Sequence, residues 1–390
     1  MSIIQTVIRN RGLLSKIALA ASVTGGLVIG NCSKLPAATT TSNNSGKTQS
    51  TSRTTGTVSI SAIDTNASPS TRKKFLWPFS PQSPWNMPIG SGAKYVPANI
   101  QQAYFAGADE EYIYKINAND PVRSVYAPGA WGPGRCTGTT SQGTMQFPDS
   151  LIVPDATNSS TPNNSSAFLM PDGQNIVQLN PLARCKAGSN VYGWRDANVS
   201  IYGDGISGSH GGSGLSAIGG SVRLGELTGS APIRHALKIE LWAEKYYHYS
   251  GANSGYRWPA DRADNYAADA YHGTNKSLVQ GSLLAIPPKV TETSLGLQTA
   301  AGRKLFHALQ DYGAYVVDDS AWDCHGMAVE KGVIDQFRST YGYDFQGTSG
   351  TFYDDYMKLF KALAIVDNNR SDNLGGGGTP RAPLAPTIGD

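Results

Sequence analysis

At 390 residues the chain can hold one large domain or two average ones, and a net charge of +3 without any Lys/Arg block argues against nucleic acid as a partner. Only 16 % of residues are charged, while 44 are glycine and 19 are tyrosine, a balance that suits a turn-rich extracellular β protein.

Arg9, Arg11 and Lys16 precede the apolar run Ile17–Gly30, which is too short to span a bilayer permanently and has the form of an export signal over residues 1–38. Val28-Ile29-Gly30-Asn31-Cys32 resembles a lipoprotein attachment box, with Asn31 departing from it just before the cysteine, and cleavage near Ala37-Ala38 is the alternative. The mature chain is expected to be secreted or held at the cell envelope, without a transmembrane anchor. Residues 39–72 are a Ser/Thr/Asn-rich tract that buries too little surface to offset ordering and reads as a flexible tether. One globular domain is expected over residues 73–368, followed by a disordered Gly/Pro tail over 369–390.

Past the extended arm Ser83-Pro84-Trp85-Asn86-Met87-Pro88, strands are predicted at Tyr112–Asn117 and Val122–Tyr126. Ala167–Met170 and Asn175–Leu179 flank Asp172-Gly173, which supplies the positive φ of a tight hairpin turn. Further strands are expected at Val199–Tyr202, Ser282–Ile286 and Ala314–Asp319. Apolar residues at helical spacing predict helices over Ala300–Tyr312, Val329–Tyr341 and Phe352–Val366. The composite is a mainly β chain, expected as a single jelly-roll-like β-sandwich with peripheral C-terminal helices. In an oxidising compartment, Cys136 and Cys185 lie in turn-rich segments and are expected to be bridged. The cysteine spacings match no zinc pattern, and neither a metal nor a cofactor is expected.

The stretch that organises the chain is Tyr202–Trp242. Eight of the nineteen residues from Tyr202 to Gly220 are glycine, which lets the backbone approach a ligand or another strand closely. Two strand-like segments follow, Ser221–Leu227 and Ile233–Leu241, joined by only five residues. Alternation places Glu226 on one inward face and His235 on the other, so the two are expected to meet as hairpin neighbours. Gly203-Asp204-Gly205-Ile206-Ser207-Gly208 satisfies G-x-G-x-x-G, but no helix opens at its third glycine, as a dinucleotide site requires. His210-Gly211-Gly212 is similar to an esterase oxyanion loop, yet the chain has no G-x-S-x-G nucleophile elbow.

Four segments recur together in a family of secreted bacterial proteins of uncharacterised function, which this chain resembles over roughly Ser83 to Asp323. They are Arg223-Leu224-Gly225-Glu226-Leu227 (R-x-x-E-[LV]), Ile233-Arg234-His235-Ala236-Leu237 (I-R-H-A-L), Trp258-Pro259-Ala260 (W-P-A) and the Y-G-x-x-x-x-D run from Tyr312 to Asp318. The resemblance implies no reaction; it singles out Glu226, Arg234, His235, Trp258 and Asp318, with Asp319 departing from an asparagine common there. A fragmentary likeness to L,D-transpeptidases at Ser209-His210-Gly211 and Ser221-Val222-Arg223 lacks the nucleophilic cysteine, with Ser221 in its place.

Export, a glycine-rich loop, abundant Tyr and Trp and inward acids point to a carbohydrate-active protein, a polysaccharide hydrolase or lyase. Glu226, His235 and Asp318 are the expected catalytic groups, with His210, Arg234, Trp242, Arg257 and Trp258 as substrate contacts and an extracellular polysaccharide or cell-wall glycan as partner. The alternatives are a non-catalytic glycan-binding or envelope protein, and a transpeptidase-like protein without the usual nucleophile.

Overall fold

The strand Phe105–Lys115 divides its pairing between two halves of the molecule. Phe105–Glu111 runs parallel to Cys324–Glu330, and Tyr112–Lys115 runs parallel to Ser166–Leu169. The structure, a computed structural model, describes residues 69–389; the export signal, Cys32 and nearly all of the expected tether lie outside them. The chain is mainly β.

From this strand one mixed sheet extends both ways. Its order is Tyr95–Pro97, Ala364–Val366, Leu283–Ala285, Ala314–Asp319, Leu237–Leu241, Cys324–Glu330, Phe105–Lys115, Ser166–Leu169, Asn175–Ala183, Val191–Arg195, Val122–Tyr126 and Ser141–Gln146. Leu237, Ile239 and Leu241 share one face of their strand and enter a core with Leu305 and Leu309 of the helix Ala300–Asp311 and Phe360 of the helix Thr351–Ala362. Lys238 and Glu240, on the opposite face, are also fully buried. The Asp172-Gly173 hairpin forms between Ser166–Leu169 and Asn175–Ala183, and Cys136 bonds Cys185 with Cα atoms 6.3 Å apart.

Several expected elements change type. Within Ser221–Leu227 only Val222 makes a β-bridge, to Val329, and a turn begins at Leu224, while regular strand begins only at Leu237 instead of Ile233. The reason is local: Gly225 adopts φ 87°, and the Glu226 carboxylate accepts the Arg223 N–H at 2.7 Å, which closes a turn where alternation predicted extension. Val329 and Glu330 end the strand Cys324–Glu330, so the next helix starts at Val333, after Gly332. Likewise Ala364–Val366 leaves its helix to pair with Leu283–Ala285 and Tyr95–Pro97.

The tail expected to be disordered is packed. Gly375–Gly378 all have positive φ and lie against the arm around Pro88–Ala93, where a Cβ on Gly90 would come within 2.0 Å of the Gly377 carbonyl. Only a chain without side chains approaches this closely. Thr387–Ile388 then pairs in parallel with Thr71–Arg72, so residues expected in the tether form a strand.

Candidate functional site

A cleft of about 950 Å³ opens beside the glycine-rich loop. Trp131, Trp194 and Trp242 line it together with Asp196, Asp264, Asp318, Asp319, Tyr266 and Arg262. Trp131 and Trp194 lie nearly parallel, 14° between planes with centroids 6.2 Å apart, and remain 43 % and 45 % exposed. Large aromatic faces left in water at a cleft mouth are characteristic of binding surfaces.

The loop's glycines make room for the acids. A Cβ on Gly211 would fall 1.7 Å from Asp318 Oδ2, and one on Gly212 would fall 2.5 Å from Asp264 Oδ2. The Gly212 N–H donates to Asp318 Oδ1 at 3.1 Å, and the Asp319 N–H donates to the same oxygen at 2.9 Å. Asp318 therefore sits under the Gly211-Gly212 backbone, with Asp264 on its neighbour. Tyr271 donates its hydroxyl to Asp264 at 2.5 Å, and the Gln280 amide approaches at 3.5 Å.

Burial governs the charges here. It raises Asp264 to about 6, with repulsion from Asp319 adding and the Tyr271 hydrogen bond opposing. It also raises Asp196 to about 6 against the attraction of Arg262, whose guanidinium lies 3.9 Å away. Asp318 is pushed well above the usual carboxylate range by burial and by the charge of Asp264. Burial likewise pushes Tyr266 upward.

Beneath the cleft floor lies a second, fully buried layer of ionisable groups: Asp109, Glu111, His210, Lys238 and Glu240. The sheet order brings them together. Gly107 and Glu240 flank Gly326 from its two neighbouring strands, and a Cβ on Gly326 would meet Glu240 Oε2 at 2.5 Å. Glu240 also stands beside Asp318 in the parallel pair. Lys238 Nζ donates to Glu111 Oε1 at 2.6 Å and to the carbonyls of Ser216 and Ala217 at 2.9 and 3.1 Å. Ser221 donates to the other Glu111 oxygen. Asn163 ties the layers together, donating its amide to both Asp318 and Asp109.

The sequence-predicted site residues divide among different places. Asp318 and Trp242 line the cleft, and His210 lies buried behind Ser209 and Gly211. Glu226 and His235 do meet, with Nε2 at 3.0 and 3.1 Å from the two carboxylate oxygens. Burial disfavours charge on this imidazole, but the Glu226 carboxylate outweighs it and raises the His235 pKa. The pair does not line the cleft: with Arg234, Arg223 and Arg72 it borders a separate depression of about 560 Å³. Arg257 and Trp258 also lie off the cleft, Arg257 pairing with Asp367 at 3.2 Å.

Sequence reasoning missed Asp196, Asp264 and Tyr266 in the cleft and all of Asp109, Glu111 and Glu240 below it. One signal was present: acids two apart in the Asp109-Glu110-Glu111 run, and Lys238 and Glu240 alternating with Leu237, Ile239 and Leu241. No family model, curated protein or solved structure matches this chain.

Proposed function

We propose that the protein is an extracellular carbohydrate-active enzyme, a polysaccharide hydrolase that works in the Trp131–Trp194–Trp242 cleft. The observation that carries this reading is the joint placement of exposed, parallel tryptophan faces and several carboxyls in one open cleft. Sugar rings present C–H faces that stack on indoles, and their hydroxyls take hydrogen bonds from the polar rim formed by Thr161, Asn163, Arg262 and Asn265.

Glycosidic hydrolysis needs one carboxyl that carries a proton and another that is ionised. Asp264 and Asp318, on adjacent glycines of the loop, are the pair we assign. Asp318, oriented by two backbone N–H groups and Asn163 and pushed well above the usual carboxylate range, is the proton carrier, whereas Asp264, at about 6, is the one that ionises. Burial keeps the cleft tyrosine Tyr266 protonated, so its hydroxyl is a hydrogen-bond donor to a bound sugar. The apolar export segment and the Cys136–Cys185 bridge support work outside the cytoplasm, and membership of the family of secreted proteins described above belongs to this same proposal.

The test is a panel of neutral glycans and polyuronates incubated with the purified protein, followed by reducing-end release and by absorbance of unsaturated products. New reducing ends lost in Asp264→Asn are expected. Unsaturated products would replace the hydrolase with a lyase, and binding without any product would leave a glycan-binding protein.

A further inference from the structure

We propose that Asp109, His210 and Glu240 bind one divalent transition-metal cation of the Zn²⁺ or Mn²⁺ kind, immediately behind the cleft floor. One donor atom from each lies within 4.8 Å of the others, and all three side chains are buried. They come from three separate parts of the chain, two of them on strands that flank Cys324–Glu330.

The first independent observation is an absence of partners. Among the described residues, neither ring nitrogen of His210 and neither carboxylate oxygen of Glu240 has a hydrogen-bond partner. Such groups cost free energy when buried, and buried charges are found paired or coordinating metals. A hydrogen bond between Asp109 and Glu240 exists only if one of them carries a proton. That leaves His210 without a donor or acceptor even so.

Charge count is the second observation. Asp109, Glu111, Glu240 and Asp318 bring four carboxyls together, and Lys238 is the one ammonium among them, committed to Glu111 and two carbonyls. A divalent cation held by Asp109, His210 and Glu240 removes most of the imbalance. One imidazole with two carboxylates suits Zn²⁺ or Mn²⁺, whereas Ca²⁺ takes six to eight oxygens. His210 is arranged accordingly: Nε2 lies 3.9 Å from Asp109 and 3.3 Å from Glu111, while Nδ1 faces Asp318 at 3.9 Å, so one nitrogen is left for an ion and a carboxylate stands behind the other.

This inference goes beyond the glycan reading, because binding is measured without any substrate. The full chain, stripped with EDTA, is titrated with ZnCl₂ and with MnCl₂, then assayed by elemental mass spectrometry and thermal melting. One equivalent retained through gel filtration and a rise in Tm are expected, with at least a tenfold loss of affinity in Glu240→Gln. Substitution by Co²⁺ in the unmutated protein needs no variant to fold, and it should give the visible absorption of a four- or five-coordinate N/O site. Failure to retain any of the three ions overturns the proposal. So does a Glu240→Gln protein that folds and binds as tightly as the original, or Co²⁺ bands no different from those of the hydrated ion.

Discussion

Two buried or half-buried groups of charges in this molecule are built on opposite principles. The Glu226–His235 pair is local, nine residues apart in sequence, balanced in charge and supplied with partners: Arg223 N–H on the acid and the Ala236 carbonyl on the imidazole. The layer beneath the cleft joins residues from Asp109 to Glu240, carries more acids than bases and, among the described residues, leaves buried atoms of His210 and Glu240 without hydrogen-bond partners. A balanced pair is what a fold uses to close a turn. An unbalanced, desolvated group stores unfavourable free energy that a fold does not retain for stability alone, and perturbed carboxyls beside a cleft are expected where chemistry occurs.

The sharpest way to break the comparison is to remove the ammonium group of the buried layer. Lys238→Met leaves Glu111 buried without its cation and should cost about 3–5 kcal/mol, or prevent folding, as read by urea denaturation. A cost under about 1 kcal/mol would mean that Glu111 is protonated in the native state and that the layer is less charged than its composition suggests.

Next in size is the cleft itself. Asp264→Asn should lower kcat by about 10²-fold or more while Tm changes little, since general acid–base groups contribute about 10²–10⁴. Gly211→Ala sharpens the point by geometry, because its Cβ would lie 1.7 Å from Asp318 Oδ2. We expect it to displace that carboxyl, abolish activity and destabilise by about 1–3 kcal/mol. Gly225→Ala, where φ is also positive but no atom lies within 4 Å, separates backbone strain from this collision and should keep its activity.

The two regions also titrate differently. Asp196 and Asp264 have folded pKa values near 6, above those of the unfolded chain, so the native state holds more protons between roughly pH 4 and pH 6. Stability should therefore fall as pH rises through that window, and Asp264→Asn should flatten the fall. The raised His235 works at higher pH: its contribution is complete below the unfolded value of about 6.5 and is lost as pH rises through its folded pKa. Melting curves across pH resolve the two windows.

The smallest effect is expected at the local pair. Glu226→Gln should cost no more than about 2 kcal/mol, the range of tolerated substitutions, and leave hydrolysis in the cleft unchanged. A full loss of activity with a normal melting curve would return this pair to the centre of the chemistry.

Much of the β character was legible because burial on one sheet face imposes a period of two, and the strands at Val122–Tyr126 and Ala314–Asp319 have the expected bounds. The Asp172-Gly173 turn was equally legible, since it depends on local chemistry, and the Cys136–Cys185 bridge formed as expected between turn-rich segments 49 residues apart, although sequence does not dictate that pairing. Even the Glu226–His235 contact was foreseen, although a turn makes it instead of the expected hairpin. Alternation does not say which strands are neighbours. Glu240 stands beside Asp318 because their strands are parallel neighbours, and it reaches the Asp109 strand only across Cys324–Glu330, where Gly326 leaves room. The cleft has the same origin: Trp131, Asp196, Asp264 and Asp318 come from four distant stretches, and long-range strand pairing brings them to one rim. Sequence alone determined which side chains prefer burial and where most of the tight turns fall, because these follow from each residue's own conformational and solvation preferences. The tertiary structure decided which charges share an interior, because that depends on strand order and on small residues that let distant side chains meet.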